Sequence, residues 1–478
     1  MDAKEFRTHG HALVEWIAEY LWGVEKYPVL SRIAPGDLSR ALPSAAPEQG
    51  EPFDQIFADF ERVIVPALTH WNHPGFFAYF AISASAPGVL AEFLSAALNQ
   101  QAMLWRTSPA ATELEEVAMA WLRDLMGLPR AFEGVIYDTA SIATLHALAA
   151  AREASIPRVR QSGLTARPDL RPPRIYCSEH THSSIDKAVI LLGLGHEALR
   201  RIPVDADFRM RTDALRAAID EDQAAGRQPI AVVATIGTTS TTSVDPVNDI
   251  ADVCERERLW LHVDAAYAGV AAIIAERRPM FAGWERGDSI VVNPHKWLFT
   301  PFDLSAFYCR RMDIVRAAFS LVPDYLETAE RGRVRNLMDT GIQLGRRFRA
   351  LKLWMILRHF GAEKIRGVLS EHMRLAQTFA QWVDADPDFE RVAPVPFSVV
   401  CFRARPRDSA MTGRDLDTFN EQLMAAVNDT GEVFLSQTRL NGALVLRLAI
   451  GHVRTTHHHV ARAWDLLRTH AAQLAVRA

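Results

Sequence analysis

Cysteine is scarce in this chain: Cys177, Cys254, Cys309 and Cys401 are the four among 478 residues. They stand far apart, in neither a disulfide framework nor a metal-ligand spacing, which points to a reducing, cytoplasmic setting. An excess of either charge is also missing. The 53 Lys and Arg against 57 Asp and Glu leave a net charge of −4, so nothing draws the chain to nucleic acid or to an anionic membrane surface. No long apolar run is present. The longest uncharged stretch, 74–91, is broken by Ser83, Ser85 and Pro87, and reads as a buried turn and helix start rather than a membrane span. The opening Met1-Asp2-Ala3-Lys4-Glu5 lacks a signal-peptide pattern. Internal repeats, low-complexity tracts and a Gly-x-x-x-x-Gly-Lys phosphate loop are absent. What remains is the composition of a globular protein, 49% hydrophobic and 23% charged, long enough for two or three domains.

The segment near the start is expected to be helical, because Leu13, Ile17, Tyr20, Leu21 and Val24 recur every three or four residues. A Pro- and Ala-rich stretch, 42–52, separates it from a second helix over 53–68. From about 87 to 345, short apolar strands alternate with helices. Strands are expected over 175–177, 230–234, 260–263, 289–292 and 305–309, and helices over 141–152 and 246–256. That alternation implies a mostly parallel sheet covered on both faces, with ligands beyond the carboxyl ends of its strands. The polar segment 322–335 reads as a mobile loop and 344–360 as a helix. The last third reads as a small α+β domain: a strand over 398–403, a hairpin of 432–440 and 443–450 turned at Asn441-Gly442, and a closing helix after Thr455.

Two residues carry the most chemistry. Lys296, in Asn293-Pro294-His295-Lys296-Trp297, follows Asp264, in His262-Val263-Asp264-Ala265-Ala266, by 32 positions, and each comes after an expected strand. A lysine flanked by apolar segments loses proton affinity and reacts as a free amine. A buried carboxylate needs a partner: a protonated pyridinium is one, and an arginine or a helix N-terminus is the structural alternative. Together they are what pyridoxal 5′-phosphate (PLP) requires: an amine for its aldehyde, and a carboxylate that keeps its ring nitrogen protonated. Ala266 is small enough for a flat ring to lie against it. Asp138-Thr139-Ala140-Ser141 precedes a helix whose start is suited to a phosphate, with plain N-capping by Thr139 or Ser141 as the structural alternative. Asn293 and His295 are further donors. His182 follows the 175–177 strand, where an imidazole can stack on the cofactor and move protons, although a lone histidine is more often structural. His457-His458-His459 is expected to be a solvated helix start rather than a metal site, since consecutive helical residues diverge.

Taken in order, these segments resemble the group II PLP-dependent decarboxylases, specifically the aromatic-L-amino-acid decarboxylase family. The likeness spans essentially the whole chain. It also rests on Thr69-His70-Trp71-Asn72-His73-Pro74, Phe76-Phe77-Ala78-Tyr79-Phe80, Ser108-Pro109 with Thr112-Glu113-Leu114-Glu115, Gly237-Thr238-Thr239-Ser240 and Leu344-Gly345-Arg346-Arg347-Phe348-Arg349. The resemblance implies an α/β fold of type I PLP enzymes (aspartate aminotransferase-like). It implies a helical dimerisation segment (1–85), a large PLP-binding domain (86–352) and a small α+β domain (353–478), assembled as a homodimer. It implies that Lys296 carries the cofactor as a Schiff base, that Asp264 pairs with the pyridinium, and that Ala266 and His182 sandwich the ring. Ala140, Ser141, Asn293 and His295 would lie near the phosphate and Thr239 close to the cofactor. Trp71, Tyr79 and Phe80 would wall the side-chain pocket, with Met103 and Leu104 contributed by the partner subunit. No metal is implied. The expected reaction is removal of CO₂ from an aromatic L-amino acid of the tryptophan, phenylalanine, tyrosine and dopa class.

The chain departs from that pattern at three places. The loop tyrosine that usually returns a proton to Cα is matched by Leu337, which has none to give. Relatives with phenylalanine there let oxygen attack, giving aldehyde, ammonia and peroxide, so an aldehyde synthase is the alternative. His182, a water, Asp339 or Tyr325 are other proton sources. Ala81-Ile82 stands where animal members have Pro-Thr, and Gly345 matches relatives preferring indoles, both favouring tryptophan or phenylalanine over dopa. A silent PLP-binding homologue and an aminotransferase of the same fold are the remaining readings.

Overall fold

The structure is a computed structural model describing residues 1–165, 167–321, 330, 332–407 and 411–476. Its internal contacts define two units, one of Ala84–Gln377 with Ala393–Cys401, the other of Met1–Ser83, Thr378–Val392 and Phe402–Ala478.

The first unit is built on seven strands: β1 (Glu133–Tyr137), β2 (Pro173–Ser178), β3 (Leu199–Ile202), β4 (Gln228–Thr235), β5 (Trp260–Asp264), β6 (Ser289–Val292) and β7 (Ser305–Cys309), in the order β1-β7-β6-β5-β4-β2-β3. Strands β2 to β6 pair in parallel, and β7 runs antiparallel to both its neighbours. The central strands read as unbroken apolar runs because both faces are covered: every residue of β5, β6 and β7 is buried. Helix Ala140–Ser155 lays Ala143, Ala147, Ala150 and Ala151 against this sheet, small side chains that let helix and sheet approach closely. The expected strands fall within β2, β4, β5, β6 and β7, and the expected helices correspond to Ala140–Ser155 and Val247–Glu257.

The expected helix over 344–360 begins only at Ala350. Arginines hold the preceding residues out of helix. The buried Arg346 guanidinium donates to Glu115 Oε1 (2.7 Å), to the Ile136 carbonyl (2.7 Å) and to the Ala102 carbonyl (3.4 Å). Arg349 Nε donates to Asp303 Oδ1 at 2.8 Å. The expected loop over 322–335 lies largely outside the described residues, and Tyr325 with it.

In the second unit, helix Ala3–Gly23 opens with a capping box between Asp2 and Glu5 and sets Trp16 against Phe60, ring centres 5.1 Å apart. The second expected helix is α-helical over Phe53–Asp59 and continues as a π turn and a 3₁₀ turn to Ala67. A four-stranded sheet runs β10-β11-β9-β8, with β8 Phe389–Arg391, β9 Val399–Ala404, β10 Ser436–Leu440 and β11 Ala443–Ala449. The hairpin turns at Asn441 (φ 50°) and Gly442 (φ 82°), the left-handed pair that a two-residue turn of this type needs. Among the described residues, no helix is long and apolar enough to cross a membrane.

Candidate active site

The parallel register brings the carboxyl ends of β4, β5 and β6 side by side, with Thr235 opposite Asp264 and Asp264 opposite Val291. Asp264, 6% exposed, ends β5, and its Oδ1 accepts the Ala266 N–H at 3.1 Å. One strand over, Asn293 follows β6. Its N–H donates to the Ala266 carbonyl (2.9 Å) and its Oδ1 accepts from Ser305 Oγ (2.7 Å). These bonds fix the short helix Pro294–Trp297 that carries Lys296. The flanking Pro294, His295 and Trp297 are buried. Trp297 stacks on Tyr267 (4.8 Å) and donates its indole N–H to His372 Nδ1 (3.0 Å). Burial pulls the Lys296 amine below its ordinary 10.5, and the Asp264 charge only partly opposes this.

His182 projects from the loop after β2. Its Nδ1 accepts the Ser184 N–H at 3.1 Å, which leaves Nε2 as the protonated nitrogen of the neutral ring. Partial burial lowers its pKa below 6.5, Asp264 raises it and Lys296 lowers it again, so the three side chains share one electrostatic field.

Thr139 occupies the N-cap of helix Ala140–Ser155 without capping it. Its hydroxyl turns instead to Asp138 Oδ1 at 3.1 Å. The expected alternative of side-chain capping is therefore not realised, and the first N–H groups of a 16-residue helix keep their capacity for an anion. Ser141 is exposed at this start. His295 is committed elsewhere: its Nδ1 accepts the Leu304 N–H (3.0 Å), and burial pulls it down to about 3, so the ring stays neutral. Thr239 is exposed beside a buried hydroxyl chain in which Thr241 meets Thr238 at 3.0 Å and Ser243 at 2.6 Å. An amine of lowered basicity, a buried carboxylate, the small wall of Ala266 and an uncapped helix start fit pyridoxal phosphate.

The expected side-chain pocket divides. Met103, Leu104 and Gly345 belong to the unit of the seven-stranded sheet. Leu104 packs with Met103 and Met338, and the Met103 carbonyl accepts the Met338 N–H at 3.1 Å. Among the described residues, a Cβ added at Gly345 would touch only Gln101 Nε2, at 3.9 Å. Trp71, Tyr79, Phe80 and Ile82 belong to the other unit. There Trp71 stacks on Phe76 (4.4 Å) and Tyr79 (5.9 Å), and the Arg447 guanidinium lies 5.4 Å over Phe80.

Leu337 is 1% exposed. It opens the 3₁₀ turn Leu337–Thr340 and packs into the core that holds Tyr137, Ala266 and Phe307. Asp339 Oδ1 accepts from Ser320 Oγ at 2.9 Å. Three features escaped the sequence reading. His262 lies two residues before Asp264, hence on the same face of β5, a signal that strand periodicity carries. It bonds Ser289 Oγ (2.9 Å), and burial lowers it to about 4. Gln343 Nε2 donates to Asp138 Oδ2 (3.1 Å), and His146 Nε2 accepts the Ile342 N–H (3.3 Å). Both fasten the segment after Leu337 beside the helix start, across sequence separations that no local pattern reveals.

Residues 35–405 match the Pyridoxal-dependent decarboxylase conserved domain. The chain is 39% identical over 485 residues to a phenylacetaldehyde synthase of Arabidopsis thaliana, covering 99% of this chain and 97% of the relative. It is 39% identical over 486 residues to the aromatic-L-amino-acid decarboxylase of Sus scrofa, covering 99% and 98%. Among solved structures, that of Oryza sativa TDC with PLP and tryptamine superposes with a TM-score of 0.95 at 37% identity, covering 99% of both chains.

Proposed function

This chain belongs to the pyridoxal-dependent decarboxylase family, and on that premise we propose that it removes CO₂ from an aromatic L-amino acid to give the amine. The observation that carries the reading is the Lys296 amine, depressed by burial and facing the Asp264 charge across adjacent strand ends. The cofactor, when bound, accepts the electron pair released as the Cα–carboxylate bond breaks. The residues do the rest. Lys296 supplies the amine, its basicity lowered by burial. Asp264, fixed by the Ala266 N–H, holds a positive charge at the end of β5. The uncapped helix start, with Ala140 and Ser141, would hold the phosphate, and Ala266 and His182 would hold the ring. Thr239, Asn293 and His295 complete the surround. His182, whose outer nitrogen carries a proton, is proposed to return one to Cα.

A hydroxyl is missing at Ile82, and this favours indole or phenyl substrates over catechol. The enzyme works as a homodimer in the cytoplasm. Exposed apolar side chains support the dimer: Leu90, Phe93, Leu94 and Leu98 on one helix, Phe6 and Trp22 on another. A second reading, oxidative conversion to the arylacetaldehyde, is favoured by the burial of Leu337 at the place of the usual proton donor. Incubating the holoenzyme with tryptophan, phenylalanine, tyrosine and dopa decides between them. Amine equal to CO₂ supports decarboxylation; peroxide with aldehyde supports the second reading; no CO₂ from any of the four refutes both.

A further inference from the structure

A cavity of about 400 Å³ lies wholly within the unit that contains the N-terminal segment, between residues 25–32, 73–75, 430–433 and 458–462. That is a volume suited to a small metabolite. None of its lining residues is among those assigned to the cofactor or the side-chain pocket. His73 lines it and is 4% exposed. Its Nδ1 accepts the Gly75 N–H at 2.8 Å, so the neutral ring carries its proton on Nε2. No described residue accepts from that N–H, and the ring stands on the cavity wall. Burial holds this ring neutral, with a pKa lowered to about 4.

The charges around it do not cancel. Glu432 is taken up by Arg462 through two bonds of 2.6 and 2.7 Å. Glu25 faces His459 (3.4 Å) and Arg454 (3.8 Å). The other two cations on the wall have no carboxylate within ion-pair distance among the described residues. Lys26 lies 5.2 Å from the Tyr27 ring centre, and Arg32 donates to the Thr430 carbonyl at 3.1 Å. Three cations on the wall, Lys26, Arg32 and Arg462, meet two carboxylates, Glu25 and Glu432, so one positive charge is left over, which favours an oxyanion.

We propose that this cavity is a second ligand site, separate from the cofactor site, for a small oxyanion-bearing metabolite held by Lys26, Arg32 and the His73 Nε2–H. Phosphate esters and carboxylates share that chemistry.

The test uses full-length holoenzyme reduced with borohydride, so that the cofactor's own phosphate site is filled. Inorganic phosphate is followed by phosphorus NMR line broadening, and succinate by saturation-transfer NMR, both at constant ionic strength. Binding of either probe, weakened at least tenfold in Lys26→Gln/Arg32→Gln, supports the site; which probe binds names the class. These two side chains lie at the surface, so the double variant tests the site without relying on a buried substitution. His73→Leu, which removes the donor, is expected to weaken binding further. Binding of neither probe, or equal binding to wild type and to the double variant, overturns the proposal.

Discussion

Gly341→Ala is a small perturbation with a calculable cost. Gly341 has φ −171°, extended backbone open to any residue, so the substitution is not limited by torsion. Its limit is steric. A Cβ there would lie 2.6 Å from His146 Cε1, 3.2 Å from His146 Nδ1 and 3.3 Å from Tyr137 Cε1. His146 cannot withdraw easily, being fully buried between the Tyr137 ring (4.4 Å) and the Phe319 ring (4.5 Å). Overpacking of this kind costs about 1–3 kcal/mol. Displacing the segment also strains the bond from Ile342 N–H to His146, worth about 0.5–1.5 kcal/mol. An apparent melting temperature lower by about 2–6 °C is expected. Relief by releasing Gln343 from Asp138 would loosen the cofactor's hold by up to about tenfold, the equivalent of about 1.4 kcal/mol.

The assay is a double-mutant cycle with His146→Ala, read by thermal unfolding and by the rate of cofactor loss. Removing the ring makes room for the methyl, so the double variant should lose at least about 1 kcal/mol less than the sum of the singles. Additive costs, or a Gly341→Ala protein that melts and holds cofactor like wild type, would refute the steric reading of this segment.

Four further outcomes are expected. Lys296→Ala should abolish the visible absorbance of the holoenzyme and the borohydride label, and a label retained at another lysine would remove the basis of the proposed function. Because burial lowers the Lys296 pKa, the unfolded chain binds more protons at this group between the lowered value and 10.5, so the cofactor-free protein should gain stability as pH rises through that window. The difference between wild type and Lys296→Met in denaturant titrations against pH measures the gain, and a slope of opposite sign excludes the depression. Gly345→Ser has room for its Cβ and should leave the melting temperature within about 1 °C while shifting preference toward phenolic substrates; an unchanged ratio of tyrosine to tryptophan turnover would count against Gly345 lining the pocket. His182→Gln should raise aldehyde and peroxide relative to amine if His182 returns the proton, and a constant product ratio would assign that proton to another group.

The parts of the fold that could be read in advance are those where a local pattern and the tertiary environment agree. Strands β4 to β7 are buried on both faces and show as apolar runs. Strand β3 hides because it is four residues long at the sheet edge and contains Arg200 and Arg201. Strand β1 hides because Gly134 interrupts it, at a point where an added Cβ would meet Met119 at 2.7 Å. The stretch before Ala350 has helical spacing, yet the distant Glu115 and Asp303 hold its arginines in another conformation. The site divides in the same way. Lys296, Asp264, Ala266 and His182 lie in short segments that end strands, so their placement follows from the strands. The free donors at Ala140 depend on where the Thr139 hydroxyl turns, and the attachments of Gln343 and Ile342 bridge about 200 positions, neither of which composition or spacing encodes.

The Arg346–Glu115 pair limits how the stretch before it can change. Gly345 is adjacent to a guanidinium that is 6% exposed, facing a carboxylate that is 2% exposed and also accepts the N–H of Ile136 in β1. Leaving either charge alone in that interior costs about 3–5 kcal/mol. Insertions or deletions between Leu337 and Arg346 would shift the guanidinium off its partner, whereas exchanges at fixed length leave it seated. Changes at Gly345 should therefore come by replacement in place, and transplanting this stretch from a relative should succeed only when Arg346 and Glu115 travel together.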